Sequence, residues 1–197
     1  MNLVLDYSWG RPDPTWMKRA NITGVLRYLC DSPGSTGKKL TPEELNALLN
    51  AGLSVAAIWQ ETVDAPTKGE TAGKRDGQRA REAMKNLRAP AGAAVYFAAD
   101  SEKVTAKQAA SYLAAARPVL APYRVGLYGG IDVITGTQKI LGEASAYWWQ
   151  TAAWSGSRIS TRLHLYQGLH RGNFGGHQVD GNTAYGNDWG QFTQLTN

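Results

Sequence analysis

Short apolar segments of β type alternate with helical segments along most of this chain, and that alternation narrows the folds open to it. Runs such as "GVLRYL" and "AAVYFAAD" indicate strands, while Thr41-Pro42-Glu43-Glu44, read as a capping box, and Thr105 mark the starts of helices. We predict strands at 3–7, 24–29, 53–60, 93–100, 123–129, 146–152 and 162–168, with a short one at 178–181. Helices are predicted at 14–21, 42–51, 75–87, 105 to about 118, and 132–141. This pattern is typical of α/β folds, in which right-handed crossovers join parallel strands.

Two α/β architectures compete for these elements. A doubly wound sheet usually carries a glycine-rich phosphate-binding turn after its first strand, whereas the first strand here runs into "DYSWGRPDP". A small (β/α) TIM-like barrel explains better the number of strands and the acids at several strand ends, because barrel active sites are built from those ends. The 197 residues suit a single domain, 1–197, but fall about 50 short of a typical barrel. We therefore expect short or irregular helices in the second half.

Acidic residues stand at the ends of several predicted strands. Asp6 ends the first and Asp100 the fourth, Glu102 lies two residues further on, and Asp180 lies near the last. Because side chains alternate along a strand, Asp100 and Glu102 share a face if the backbone stays extended. Cleavage of a glycosidic bond needs a carboxylic acid that protonates the leaving oxygen and a second carboxylate. Crowding such acids in one barrel mouth would raise the pKa of at least one of them.

A structural role is the alternative for each acid taken alone. Asp6 and Asp100 could cap loop amides or pair with Arg27 or Arg124. Four acids at the ends of three predicted strands favour the chemical role.

Five motifs resemble, in order, the strand-end pattern of the family 25 lysozyme-like muramidases: "LDYSW", "YFAADSE", "VGLYGG", "YWWQTAAW" and "LYQ…VDGN". The chain is similar still more closely to the glycoside-hydrolase-like barrels of domain of unknown function 1906, found in actinobacterial proteins and their phages. That closer likeness rests on "RYL", "LT…E" and "YFAAD". The resemblance covers nearly the whole chain.

The resemblance implies cleavage of a bacterial cell-wall glycan, by the lytic domain of a phage endolysin or by an actinobacterial wall hydrolase. It implies that Glu102 is the proton donor, that Asp100 sets its charge and pKa, and that Asp6 and Asp180 are further cleft acids. The "WQETVD" segment departs from the muramidase pattern and would reshape the sugar subsites. The candidate substrate-binding residues are Arg27, Trp59, Glu61, Tyr128, Trp148, Tyr166 and Gln167.

Composition supports a glycan partner only weakly. Seven Trp and nine Tyr against three Phe suit sugar-stacking clefts and half-buried packing alike. The formal charge of +5 indicates a solvated basic surface or attraction to an acidic envelope. The expected partner is cell-wall polysaccharide, either peptidoglycan or arabinogalactan. A non-catalytic glycan-binding barrel and a basic scaffold or nucleic-acid binder are the alternatives, and the scattered basic residues make nucleic acid the least favoured.

No cofactor or metal is expected, because His164, His170 and His177 lack the spacing of a ligand set. Cys30 is the single cysteine and is expected to be a small buried hydrophobe. No apolar run reaches the ~18 residues of a membrane helix, and Asp6 interrupts the N-terminal apolar stretch. We expect a monomer without membrane insertion or visible signal peptide, which in a phage lysin would stay in the host cytoplasm until lysis.

Overall fold

The computed structural model describes residues 2–196 and their side chains, those of His170 and Arg171 excepted. Eight strands are formed by Asn2–Asp6 (β1), Ile22–Tyr28 (β2), Ser54–Trp59 (β3), Ala94–Ala98 (β4), Arg124–Gly129 (β5), Tyr147–Thr151 (β6), Leu165–Phe174 (β7) and His177–Ala184 (β8). The helices are Pro14–Arg19 (α1), Pro42–Asn50 (α2), Gly69–Asn86 (α3), Ala106–Leu120 (α4) and Ile131–Leu141 (α5). Short 3₁₀ segments precede α3 and β6, at Ala65–Lys68 and Glu143–Ser145.

The strands close into a barrel in the order β1 to β8, which confirms the predicted small TIM-like α/β barrel. No α-helix is described between β6 and β7 or between β7 and β8, in line with the irregular second half expected from the length. Strands β1 to β7 are parallel, but β8 runs antiparallel to both β7 and β1. The expectation that all strands of the barrel are parallel is therefore wrong for β8.

Two glycines explain the reversal of the last strand. Gly175 and Gly176 connect β7 to β8 with φ angles of 60° and 86°. Consecutive positive φ values are those of the tight hairpin turns that suit the twist of a two-stranded ribbon, and glycine adopts them without steric cost. The chain therefore turns back directly after β7, with no room for a crossover helix.

The capping residues are placed as predicted, with one difference. Thr105 forms a reciprocal capping box with Gln108 at the start of α4. At the start of α2 the Thr41 hydroxyl accepts the N–H of Glu44. The Glu44 side chain instead binds the guanidinium of Arg27, with Nε 2.7 Å from Oε1. A buried guanidinium without a carboxylate partner would strongly destabilise the fold.

Alternate strand residues divide into two cores. Inward residues such as Val4, Tyr96 and Trp149 fill the barrel, while Leu5 and Phe97 pack outward with the helices. Strand alternation predicts that Leu3 and Leu5, and Val95 and Phe97 in the fourth strand, pack outward under helices, and it directs Asp6 into the barrel. The exception is Leu3, which is 45% exposed rather than covered by a helix.

The segment after β8 closes the end of the barrel at which the parallel strands begin. Trp189 is buried in the inner core, and its carbonyl accepts the hydroxyl of Tyr96 at 2.7 Å. Phe192 forms an antiparallel bridge with Val55 near the start of β3. The opposite end, where the parallel strands finish, therefore holds the opening of the barrel.

Packing inside the barrel depends on Gly126, and this gives a first prediction. A Cβ on Gly126 would lie 2.5 Å from Cδ1 of Tyr96, whereas a Cβ on Gly181 would meet nothing within 4 Å. We expect Gly126→Ala to lower the free energy of unfolding by about 1–3 kcal/mol through overpacking, and Gly181→Ala to change it by less than about 0.5 kcal/mol. Urea titration of both variants measures this, and equal stabilities would contradict the packing described.

Candidate active site

A cavity of about 320 Å³ opens at the carboxyl ends of the parallel strands. Its walls come from residues on or just beyond all eight strands, and barrels of this kind place their sites at this end. The lining residues are Asp6, Tyr28, Ile58, Gln60, Ala98, Asp100, Tyr128, Trp149, Thr151, Ala153, Trp154, Gln167, Gly168, Leu169 and Asp180.

Asp6 is the most deeply buried acid of this cavity, with 3% of its surface exposed. Its Oδ2 accepts two amide N–H bonds of 2.8 Å, one from Gln167 Nε2 and one from Asn182 Nδ2. Burial, helped by the nearby Asp180 carboxyl, raises the pKa of Asp6 to about 7, against the opposing effect of the two amide bonds. Asp180 exerts this effect because it pairs directly with Asp6 across β1 and β8.

The oxygen atoms of both amides around this carboxyl accept hydrogen bonds from neighbouring side chains. The indole Nε1 of Trp149 donates to Asn182 Oδ1 at 2.8 Å, and an indole nitrogen has no acceptor capacity. The hydroxyls of Tyr128 and Thr151 lie 2.7 and 3.0 Å from Gln167 Oε1. Each amide oxygen is thus occupied, and each NH₂ group faces the buried carboxyl.

Asp100 approaches the same cavity from the loop after β4. Its Oδ2 accepts Gln60 Nε2 at 3.1 Å, and its Oδ1 lies 3.4 Å from the indole Nε1 of Trp154. The amide of Gln60 is oriented in turn by Lys38, whose Nζ donates to Gln60 Oε1 at 3.0 Å. Lys38 is only 4% exposed and lies over the ring of Tyr28 at 3.9 Å. Asp100 therefore receives N–H donors on both oxygens.

Aromatic rings form much of the cavity wall. Tyr128 and Trp149 pack with ring centroids 4.5 Å apart, and Tyr28 lines the cavity from β2. Trp154 at the rim keeps 39% of its surface exposed. A site with carboxyls at its base and exposed indole at its rim suits a ligand with both hydroxyl groups and apolar faces.

Five of the residues singled out from the sequence line this cavity together: Asp6, Asp100, Asp180, Tyr128 and Gln167. Glu102 does not. It is exposed in a turn, because β4 ends at Ala98 and the Ser101 carbonyl accepts the N–H of Val104 at 3.2 Å. Glu102 would share a face with Asp100 only if the backbone stayed extended, and the strand ends before both residues.

Two tryptophans proposed to bind substrate face the helices instead. Trp148 belongs to the outer core and donates its indole N–H to the carbonyl of Glu143 at 2.7 Å. Its neighbour Trp149 faces inward and lines the cavity. Trp59 also packs outward, with the guanidinium of Arg79 5.3 Å from its ring.

The three other expected contacts lie outside the cavity as well. Glu61 accepts two 2.8 Å hydrogen bonds from Arg79. Arg27 is fully buried against Glu44 and donates to the carbonyl of Tyr7. Tyr166 is half-buried on the face of β7 opposite Gln167.

Sequence reasoning missed Gln60, Asn182 and Lys38, and of the adjacent Trp148 and Trp149, which lie on opposite faces of their strand, it chose the one that does not line the cavity. The first two follow the inward positions Ile58 and Asp180 by two residues, so strand periodicity could have found them. Lys38 reaches the site from a loop, and no periodic signal predicts that.

Within the described side chains, no group of three or more His, Cys, Asp and Glu residues could hold a metal ion. The side chain of His170 lies outside those described, so its expected lack of a metal role stays a prediction. Cys30 is buried, as expected. None of the helices in residues 2–196 is long and apolar enough to cross a membrane.

Comparison with known proteins places this site in a family. The uncharacterized protein FadG of Bacillus subtilis is 38% identical over 86 residues, which cover 43% of this chain and 15% of FadG. The Mycobacterium tuberculosis Tat-secreted protein Rv2525c, crystallised with L-tartrate, superposes with a TM-score of 0.84 at 23% identity, covering 96% of this chain and 98% of that one. GHIP, a glycosyl hydrolase 25 of Streptococcus pneumoniae, reaches 0.64 at 14% identity, covering 93% and 87%.

The two structural likenesses show a shared barrel and, at these identities, no more than that. A sequence model of the Rv2525c-like, glycoside hydrolase-like domain matches residues 15–184. This match spans most of the chain and includes seven of the eight strands that form the barrel. The chain therefore belongs to the Rv2525c-like family of glycoside hydrolase-like domains.

Proposed function

We propose that this protein is a glycoside hydrolase that cleaves a bacterial cell-wall glycan, with Asp6 as proton donor and Asp100 as its carboxylate partner. One observation carries the proposal: a buried carboxyl whose pKa is raised to about 7 shares an open cavity with a second carboxyl. A carboxyl with that pKa keeps its proton in a large fraction of molecules at neutral pH, which a general acid requires. This assignment moves the donor from Glu102, as the resemblance implied, to Asp6.

The hydrogen bonds around Asp6 indicate which oxygen carries the proton. Its Oδ2 accepts both amide donors, so the proton belongs on Oδ1. As the glycosidic bond breaks, this proton passes to the leaving oxygen. In the same step Asp100 either attacks the sugar carbon as nucleophile, forming an ester that water then hydrolyses with Asp6 as base, or takes a proton from the water that attacks that carbon.

The cavity walls and the surface charge support a cell-wall polysaccharide as substrate. Tyr28, Tyr128 and Trp154 offer ring surface to the apolar faces of sugars, and the +5 charge favours approach to an acidic envelope. Peptidoglycan and arabinogalactan are the two candidate polymers. Action as a phage endolysin, held in the host cytoplasm until lysis, or as an actinobacterial wall hydrolase extends this proposal.

A non-catalytic glycan-binding barrel is the second candidate. The observation that favours it is the placement of Glu102, to which the resemblance assigned proton donation, outside the cavity. The two candidates make opposite predictions about product.

Purified peptidoglycan and purified arabinogalactan, incubated separately with the protein, test the proposal through release of reducing ends. We expect release from one polymer, at a rate that Glu102→Gln leaves unchanged because that side chain is exposed in a turn away from the cavity. A large loss of rate in Glu102→Gln would return the donor role to Glu102. Binding to walls without product from either polymer would select the binding candidate.

A further inference from the structure

A second cavity of about 560 Å³ adjoins the first at the mouth of the barrel. The loop after β1, from Tyr7 to Gly10, forms one side, and the start of β8 with Gly176 forms the other. Asp6 and Asp180 line both cavities. The two cavities therefore adjoin at these two acids, and together they are called the groove.

The β7–β8 ribbon forms a fixed wall for this second cavity. After the register shift in β7 the ribbon continues through the pairs Gly172–Val179 and Phe174–His177. The loop after β1 fits closely beneath it, since a Cβ on Gly10 would lie 2.7 Å from Cβ of His177. The backbone of Gly10 thus packs directly against the His177 side chain, which leaves no space for a larger residue at position 10.

Trp9 lines this cavity with 56% of its surface exposed. Trp154 lines the first cavity and is exposed as well, so each half of the groove has an indole at its surface. The rest of the second cavity includes the polar side chains of Ser8 and Gln178. Exposed indole beside hydrogen-bonding groups is the combination that sugar rings fit.

We propose that the second cavity is a glycan subsite, in which the exposed indole of Trp9 stacks on sugar units beyond those held near Asp100. This inference rests on the proposed function and adds a substrate class: a polysaccharide long enough to occupy both sides of Asp6 and Asp180. A short fragment fills the first cavity alone. A longer one gains the contact with Trp9.

Binding of defined glycan strands tests this separately from cleavage. Disaccharide and hexasaccharide fragments of peptidoglycan and of arabinogalactan are titrated by calorimetry into the Asp100→Asn variant, which keeps the second cavity intact and slows turnover. We expect tighter binding of the hexasaccharide of one polymer. Adding Trp9→Ala should weaken hexasaccharide binding about tenfold, the scale of one aromatic contact, and leave the disaccharide unchanged.

Two further variants separate stacking from general damage. Trp9→Phe keeps an aromatic ring and should restore most of the affinity, while Tyr185→Ala, an exposed aromatic beyond the end of β8, should have no effect. Equal affinity for short and long fragments, or an unchanged hexasaccharide affinity in Trp9→Ala, would overturn the subsite while leaving hydrolysis intact. Length-dependent binding through Trp9 by a wild-type protein that releases no product would retain the subsite and refute the hydrolase.

Discussion

Replacing Asp6 with asparagine is expected to lower the rate of glycan cleavage by about 10²–10⁴-fold, the usual contribution of a general acid. The asparagine oxygen can still accept the two amide bonds from Gln167 and Asn182, so the cavity keeps its shape and loses only the proton. In the wild type, the rate should fall on the alkaline side as Asp6 loses its proton around its pKa of about 7. Reducing-end release measured across pH reports both effects.

Variants on and off the cavity make this test specific. Asp100→Asn should cost a similar factor, and the double variant should be little worse than either single one, because the two carboxyls act on the same step. Asp132→Asn is the matched control, since Asp132 is exposed and paired with Arg158 away from the cavity. A wild-type rate in Asp6→Asn, or a wild-type profile without an alkaline decline, would remove Asp6 from the mechanism.

The same substitution is expected to change how stability depends on pH, whether or not the protein is an enzyme. Burial raises the pKa of Asp6 from 3.8 to about 7 in the folded protein, so the folded state holds a proton that the unfolded state releases. Between these two values the unfolding free energy of the wild type should fall as pH rises, by about 1.4 kcal/mol per pH unit from this group. The total comes to about 4 kcal/mol and is complete just above pH 7.

The Asp6→Asn variant has no carboxyl that titrates at this position, so comparing its stability with that of the wild type isolates the contribution of Asp6. The difference in unfolding free energy, variant minus wild type, should grow by about 4 kcal/mol between pH 4 and pH 8, because all other groups titrate alike in both proteins. Urea titrations at several pH values supply the measurement. A difference that stays constant over this range would show that Asp6 titrates in the folded protein as it does in the unfolded chain.

Strand periodicity predicted the part of the site that lies on regular strands. Residues two apart in a strand share a face, so Asp6 points inward together with Val4. This orientation can be predicted from the sequence of β1. In β6 the same reasoning could not choose between Trp148 and Trp149, since all five residues of that strand are buried and neither face is polar. The fold places one indole among the helices and the other at the cavity.

Features set by turns and loops were beyond this reasoning. Glu102 was expected to face the cavity because nothing in "YFAADSE" shows that the strand ends at Ala98. The reversal of β8 does have a local signal in Gly175-Gly176, which marks a tight hairpin once it is seen between two strands. Lys38 reaches Gln60 from a loop of glycine and serine, and only the folded chain shows that contact.

The antiparallel direction of β8 also determines the side of the barrel from which a fused tag or domain would extend. β1 begins, and the segment after β8 ends, at the end of the barrel away from the cavity, where the N–H of Thr196 reaches the carbonyl of Arg88. A tag, surface tether or partner domain fused at either terminus would thus emerge from the rear of the molecule. Immobilised by either end, the protein would present its groove outward.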